Sequence, residues 1–227
     1  MSFKDIFNID AEVKESAHAR VNLIGEHTDY TGGYVMPTLL SFKNTIEISQ
    51  NNSNEFTVYS QHFKEKKTFN DFKKSSNNEW VDYIKGCLHI FFDENKISSR
   101  FLNIFISSDI PLERGISSSS ALCVATLKAL NTFFETKIKD PEIAKLAKKV
   151  EFNYIGVSGG IMDQMVSSIG IHGKAFFMNC KNLEYELINF PENWKFCLID
   201  SEVQRNLRDS SYNERFAELQ EAEKKLG

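Results

Sequence analysis

No Gly-Lys-Ser/Thr tripeptide occurs anywhere in the chain, which excludes a Walker-type phosphate loop. There is no basic excess either. Lys and Arg number 27 against 31 Asp and Glu, a net charge of −4, so nothing in the overall balance attracts nucleic acid or an anionic membrane. Any anionic ligand must be held by a local device. Long apolar runs are missing: the longest nearly uncharged stretch, Ala121–Leu130, is interrupted by Lys128 and is far shorter than the roughly 20 residues a bilayer requires. The opening MSFKDIFNIDAEVKES carries acids early and lacks an apolar segment, so no signal peptide is expected. Cysteine is sparse, at Cys87, Cys123, Cys180 and Cys197, with spacings that match no zinc or redox pair. The four are read as buried thiols, with a reducing cytoplasm as the compartment. The five histidines contain no HxxxH pair, which argues against a zinc enzyme.

What is present is an ordinary soluble composition, 41% hydrophobic and 26% charged over 227 residues, enough for one sizeable core or two small ones. Apolar runs at 20–24 and 34–40 flank a polar, glycine-bearing turn from Gly25 to Gly33 and predict strand, loop, strand. Thr45–Ser49 and Glu55–Ser60 alternate and predict a hairpin across Asn51–Asn54, with Asn70–Asn78 an exposed loop. The helical spacing of Trp80, Tyr83/Ile84, Cys87/Leu88 and Phe91/Phe92 predicts an amphipathic helix, and Phe101–Ser107 a strand. A loop of small residues, Pro111–Ser120, precedes ALCVATLKALNTFF, apolar on nearly every face and so a buried helix. Asp140 and Pro141 are expected to cap and open a helix with the stripe Ile143, Ala147, Val150 and Tyr154, broken by Gly156, Gly159 and Gly160. Strands at 174–180, 184–190 and 195–200 and a helix at 210–226 complete the reading. Strands and helices mix without strict βαβ alternation, which predicts an α+β architecture.

Four segments carry candidate chemistry. In residues 20–33 the side chains of Arg20, Asn22, Glu26, His27 and Asp29 crowd between two apolar runs; they suit either a polyol site, where each hydroxyl needs a partner, or a solvated turn. In PLERGISSSSA, Gly115 and the serines allow close backbone approach, and the unpaired amides of the helix's first turn form an anion site; a plain serine N-cap is the competing reading. In EFNYIGVSGGIMDQ, Glu151 and Asp163 flank a glycine loop; Glu151 could face a metal, and Asp163 could enter a cavity or cap the next helix. Tyr212 could lay its ring against a ligand or simply pack.

Taken together and in this order, the segments resemble the galactokinases of the GHMP small-molecule kinase superfamily. ARVNLIGEHTDYTGGYVMP at 19–37 is similar to the signature GRxNLIGEHTDYxxGxVxP, PLERGISSSSAL to PxGxGLSSSAxL, and GVSGGIMDQ at 156–164 to GxxCGIMDQ. WVDYIKG and SSYNER are similar to two further family segments. The resemblance implies a ribosomal protein S5 domain 2-like N-terminal domain over 1–205 and the start of a C-terminal domain over 206–227. It implies ATP-dependent phosphorylation of galactose at the C1 hydroxyl, with Mg2+. In roles it implies Arg20 and Asp163 as the catalytic pair, the latter as base. Glu26, His27, Thr28, Asp29, Gly160 and Tyr212, with Arg20 and Asp163, become sugar ligands. Glu113, Arg114, Gly115, Ile116, Ser117, Ser118 and Ser119 become the nucleotide loop, and Ser119 and Glu151 the magnesium ligands.

The sequence also departs from that pattern. His18 and Ala19 stand where the family has Pro-Gly, and Gly159 where it has cysteine. Glu113 and Arg114 replace small residues of the nucleotide loop; a carboxylate about 4 Å from a phosphate opposes it by about 1 kcal/mol in water and about 4 at intermediate dielectric, an effect that Arg114 could offset. Family members continue well past residue 227, and Tyr212, Phe216, Leu219 and Leu226 share one side of the last helix. The chain is therefore expected to be a truncated product or fragment that needs a partner chain or self-association to cover that face. Alternative functions are a kinase for galacturonate, arabinose or N-acetylgalactosamine, and a catalytically weak galactose- and ATP-binding sensor.

Overall fold

The protein is described by a computed structural model that covers residues 1–75, 79–111, 114–202 and 210–226. Its centre is an eight-stranded sheet: β1 (Val13–Asn22), β2 (Tyr34–Val35), β3 (Pro37–Gln50), β4 (Phe56–Ser60), β5 (Glu65–Phe69), β6 (Leu102–Ser108), β7 (Lys174–Asn179) and β8 (Tyr185–Asn189). The strand order is β2-β7-β3-β6-β4-β5, with β1 paired to β3 and β8 to β7. The helices are α1 (Phe3–Phe7), α2 (Val81–Asn95), α3 (Ser118–Phe133), α4 (Asp140–Lys149), α5 (Met162–Ile169) and α6 (Ser210–Leu226). This is the α+β architecture that the residue pattern predicts. The expected boundary at 205/206 falls outside the described residues.

Burial follows from the period-two alternation of strands. On β4 and β6, Phe56, Val58, Leu102, Ile104 and Ile106 face the helical layer and join the main core with α2 and α3. Tyr59 and Phe105 point the other way, where Phe3 of α1 covers them. Helix α3 explains its nearly unbroken apolar sequence: Ala121, Cys123, Val124, Ala125, Leu127, Ala129 and Leu130 are all fully buried. Truncating one of them leaves a hole that a dense interior cannot fill, so Leu127→Ala is expected to lower unfolding free energy by about 2–5 kcal/mol, read as a lower denaturant midpoint at an unchanged slope.

Several local expectations are corrected. Residues 45–49 and 55–60 are strands but not hairpin partners, because β6 lies between them, antiparallel to β3 and parallel to β4. Alternation identifies a strand's buried face but not its neighbour, and here α2 returns the chain to β6 between the two. The 195–200 segment is not a strand; Phe196, Leu198 and Ile199 are exposed there. Lys139, not Asp140, is the N-cap of α4, with Asp140 already helical. β1 begins seven residues before Arg20, and α1 and β5, both short and rich in charge, were not anticipated. Of the cysteines, Cys87 and Cys123 are buried, Cys180 is half-buried and Cys197 is exposed, so the reading of four buried thiols holds for the first two only.

Two backbone features aim side chains at one region. Helix α4 runs on into a π-helical turn, Val150–Ile155, which buries Glu151 and ends at Gly156 in the left-handed region, φ +88°. Such turns often mark functional sites, because they re-register the helix face. Helix α3 starts after Ser117, also left-handed at φ 63°.

Candidate active site

The site is built around one ion pair. Arg20, near the end of β1, donates from Nε to Asp163 Oδ1 at 2.7 Å and from Nη2 to Asp163 Oδ2 at 2.8 Å. Asp163 sits in the first turn of α5, so a two-pronged, charge-assisted contact joins the sheet edge to the helix after the glycine loop. The third arm, Nη1, donates to Gly115 O at 3.0 Å, and the Arg20 backbone N–H donates to Ile116 O at 3.2 Å. Ser117 closes the triangle, its Oγ donating to Asp163 Oδ2 at 2.5 Å. Arg20, the serine loop and Asp163 therefore converge, as their roles in the resemblance require.

Ser117 has a second consequence. It occupies the N-cap of α3, where a serine hydroxyl would ordinarily accept from a first-turn amide, yet it makes no such bond because its side chain is turned to Asp163. The first amides of α3, at Ser118, Ser119 and Ser120, are thereby left to another acceptor, and the aligned peptide dipoles favour an anion there. Behind this end, both Glu151 carboxylate oxygens accept from Ser120 Oγ at 3.1 Å, and Gln164 Nε2 also donates to Oε2. Burial pushes the Glu151 carboxyl up from its ordinary range; a hydrogen bond from Ser119 counters this, the charge of Asp163 adds to it, and the Gln164 and Ser120 bonds counter it further. Gln164 Oε1 is buried without a hydrogen-bond partner. A carboxylate, a serine hydroxyl and an unpaired amide oxygen form the hard oxygen set that suits Mg2+, which binds through few protein ligands and leaves room for phosphate and water. The residues present fit that ion.

The 25–33 segment forms a closed loop. Thr28 Oγ1 lies 2.7 Å from both Gly25 O and Tyr34 O. Gly25, at φ +97°, admits this closure because a Cβ there would stand 2.3 Å from Tyr34 O. Glu26 and His27 are exposed at the rim; His27 holds a left-handed backbone, φ 63°, and its Nδ1 meets Tyr30 Oη at 2.5 Å. A cleft of about 360 Å³ separates His27 from Arg215, Glu218 and Leu219 of α6. Phe216, expected to need a cover, already packs on Tyr30 with ring centroids 5.2 Å apart. Asp29 turns inward against Gly160: a Cβ on Gly160 would lie 2.1 Å from Asp29 Oδ2. Burial and then the charge of Asp163 push the Asp29 carboxyl up, with Lys148 and Arg20 pulling it back.

Of the expected residues, Arg20, Asp29, Gly115, Ile116, Ser117, Ser118, Ser119, Glu151, Gly160 and Asp163 are brought together. Glu26 and His27 lie at the mouth, while the Thr28 hydroxyl is committed to its own loop. Arg114 reaches Asp200, Nε to Oδ2 3.1 Å, as a half-exposed pair. Glu113 and the Tyr212 side chain lie outside the described residues. Three participants were not singled out from the sequence: Ser120, Gln164 and Lys148. Lys148 stands three residues before Glu151, one helical turn back on the same face, which was the available signal.

Two families match: the one described as the GHMP kinases N terminal domain at residues 82–170, and the galactokinase galactose-binding signature at residues 1–50. The galactokinase of Thermococcus kodakarensis is 36% identical over 212 residues, covering 92% of this chain and 59% of that protein. The galactokinase of Pyrococcus furiosus is 36% identical over 218 residues, covering 96% and 61%. Among solved structures, Lactococcus lactis galactokinase complexed with galactose superposes with a TM-score of 0.88 at 31% identity, covering 99% of this chain and 59% of that one. The mevalonate kinase of Methanococcus jannaschii, at 23% identity and a TM-score of 0.67, shares the fold. The chain thus spans about three-fifths of the length of the relatives it matches. With both signatures in place and the sequence similarity running along nearly its full length, the chain belongs to the GHMP kinases, in the galactokinase family.

Proposed function

We propose that the chain carries galactokinase chemistry, the transfer of the γ-phosphoryl group of ATP to the C1 hydroxyl of D-galactose. The observation that carries this reading is the single hub in which Arg20 binds Asp163, Asp163 binds Ser117, and Arg20 binds Gly115. One cluster thereby links the sugar segment, the phosphate-binding helix end and a carboxylate. The loop from Glu26 to Asp29, with Gly160 and Tyr212, orients the sugar. Gly115, Ile116, Ser117 and the first amides of α3 receive the β and γ phosphates, flanked by Arg114 and Glu113.

Asp163 is the proton acceptor. Its Oδ2 takes bonds from both Arg20 and Ser117, whereas Oδ1 takes one from Arg20, leaving a lone pair on Oδ1 for the O1 proton. The bond from O1 to the γ-phosphorus forms as the bond from that phosphorus to the β,γ-bridging oxygen breaks, and the electron pair leaves on ADP. Such a transition state asks mainly for positioning and charge stabilisation, and Arg20 supplies both. When bound, Mg2+ held by Ser119 and Glu151 would neutralise phosphate charge. Proton acceptance by a carboxylate already paired with arginine comes late in transfer, because the pair favours the charged form. The setting we propose is the cytoplasm, in keeping with the four free thiols; among the described residues no helix is long and apolar enough to cross a membrane.

The test is coupled ADP release by the full chain with galactose, galacturonate, arabinose and N-acetylgalactosamine. Release that depends on galactose and exceeds that with the other sugars is expected. Stabilisation by galactose without ADP release would replace the reading with a sensor, and release with another sugar alone would reassign the substrate.

A further inference from the structure

Helix α4 carries three lysines in its second half, and they behave differently. Lys145 and Lys149 lie on the surface, paired with Glu142 at 2.8 Å and with Glu94 of α2 at 2.7 Å. Lys148 turns inward, and its ammonium donates to Gly159 O. Burying an amine is costly unless it is hydrogen-bonded and surrounded by opposite charge. The surroundings supply that charge: burial pushes the Lys148 amine down, and Glu151, Asp29 and Asp163 push it up. The remaining neighbours of α4 add little of the same kind. The Phe152 ring centroid is 5.8 Å from the amine, and Lys128 of α3 is committed to Ser168 O and Asp140.

The residue that Lys148 grips is next to the one on which Asp29 rests. Gly160 has room for no side chain because the Asp29 carboxylate occupies that space, so the height of the Gly159–Gly160 turn sets the position of Asp29. The two cations nearby divide their work. Arg20 bonds Asp163 and Gly115, and of the two cations that draw the Asp29 carboxyl down, Lys148 has the larger pull.

We propose that Lys148 is a positioning residue for the sugar: by bonding Gly159 O it fixes the turn on which Asp29 rests, and so sets where the Asp29 carboxylate meets the sugar hydroxyls. This rests on the galactose-binding reading above. Removing the charge raises the pH at which Asp29 protonates, and a protonated Asp29 cannot accept at both oxygens. Sugar binding is therefore lost at a higher pH on the acid side.

The experiment measures galactose affinity of the full chain by calorimetry from acidic to neutral pH, with ATP affinity as the internal reference, for the wild type, Lys148→Met, Lys148→Gln and Lys148→Arg. Cooperative melting verifies that each is folded. Lys148→Met, which loses the bond to Gly159 O, is expected to bind galactose about 10-fold more weakly near neutrality, and both neutral variants are expected to show the acid limb displaced upward by about one pH unit. ATP affinity is expected to change less than galactose affinity, because the Gly159–Gly160 turn carries Asp29 and not the serine loop. Lys148→Gln retains a donor for Gly159 O, so a displaced limb in that variant isolates the charge, and it stands in if the methionine variant does not fold. Lys148→Arg is expected to restore the limb. Neutral variants with the wild-type limb, or an arginine variant that fails to restore it, would overturn the inference alone. A wild type that binds no galactose at any pH overturns the functional reading, and this inference with it.

Discussion

Replacing Asp163 with asparagine is expected to lower galactose-dependent ADP release by about 10²–10⁴-fold, the range supplied by a positioned proton acceptor, while galactose affinity changes only a few-fold. The substitution keeps the shape of the side chain but not its function. An amide has one acceptor oxygen where the carboxylate has two, and the site presents three donors, two from Arg20 and one from Ser117. Whichever way the amide turns, its NH2 confronts a donor. The lost charge-assisted bonds cost about 1–3 kcal/mol of stability, so a lower but still cooperative melting transition accompanies the lost turnover. Release within a few-fold of wild type would remove Asp163 from the chemistry.

A second large effect is expected from a single methyl group. In Gly160→Ala the new Cβ would lie 2.1, 2.3 and 2.6 Å from Oδ2, Cγ and Cβ of Asp29, distances that atoms do not share, and two of the three belong to the part of the side chain nearest the backbone. Either Asp29 is driven off its position or the turn moves, and the turn leads within three residues to Asp163. Galactose-induced thermal stabilisation is expected to vanish and ADP release to fall at least about 100-fold, the loss that a 1 Å misplacement brings. Gly156→Ala is the matched control. Gly156 is left-handed at φ +88° but has nothing within 4 Å of an added Cβ, so alanine there costs about 1–2 kcal/mol of backbone strain and leaves sugar binding alone. If both alanines behaved alike, the contact with Asp29 would not be what Gly160 provides.

Much of this site was legible because its residues are contiguous in sequence. Glycines, small hydroxyls and acids packed into three short segments announce a ligand site even before the segments are known to meet. What local pattern could not convey was contact. The bond from Ser117 to Asp163 spans distant parts of the chain, and without it Ser117 reads as an ordinary cap. Lys148 was overlooked for a related reason. Among Lys145, Lys148 and Lys149 the only hint of which one turns inward is the three-residue spacing of Lys148 from Glu151, because the outcome depends on the π-helical turn after α4 and on where the glycine loop returns. The fold shows the same division. Buried helices and alternating strands were identified from their residues, whereas the insertion of β6 between β3 and β4 is a matter of pairing, and the short charged elements α1 and β5 lacked the apolar content that makes a segment conspicuous.

Helix α3 is at once the floor of the proposed phosphate site and a rod embedded in the main core. Its first turn faces the nucleotide loop while Val124, Leu127 and Leu130 are sealed within the core. A dense interior transmits displacement instead of absorbing it, so the proposed grip on the nucleotide and the durability of the whole domain share one mechanical part. Substitutions that loosen the packing slacken that grip, and selection acting on either property constrains the other.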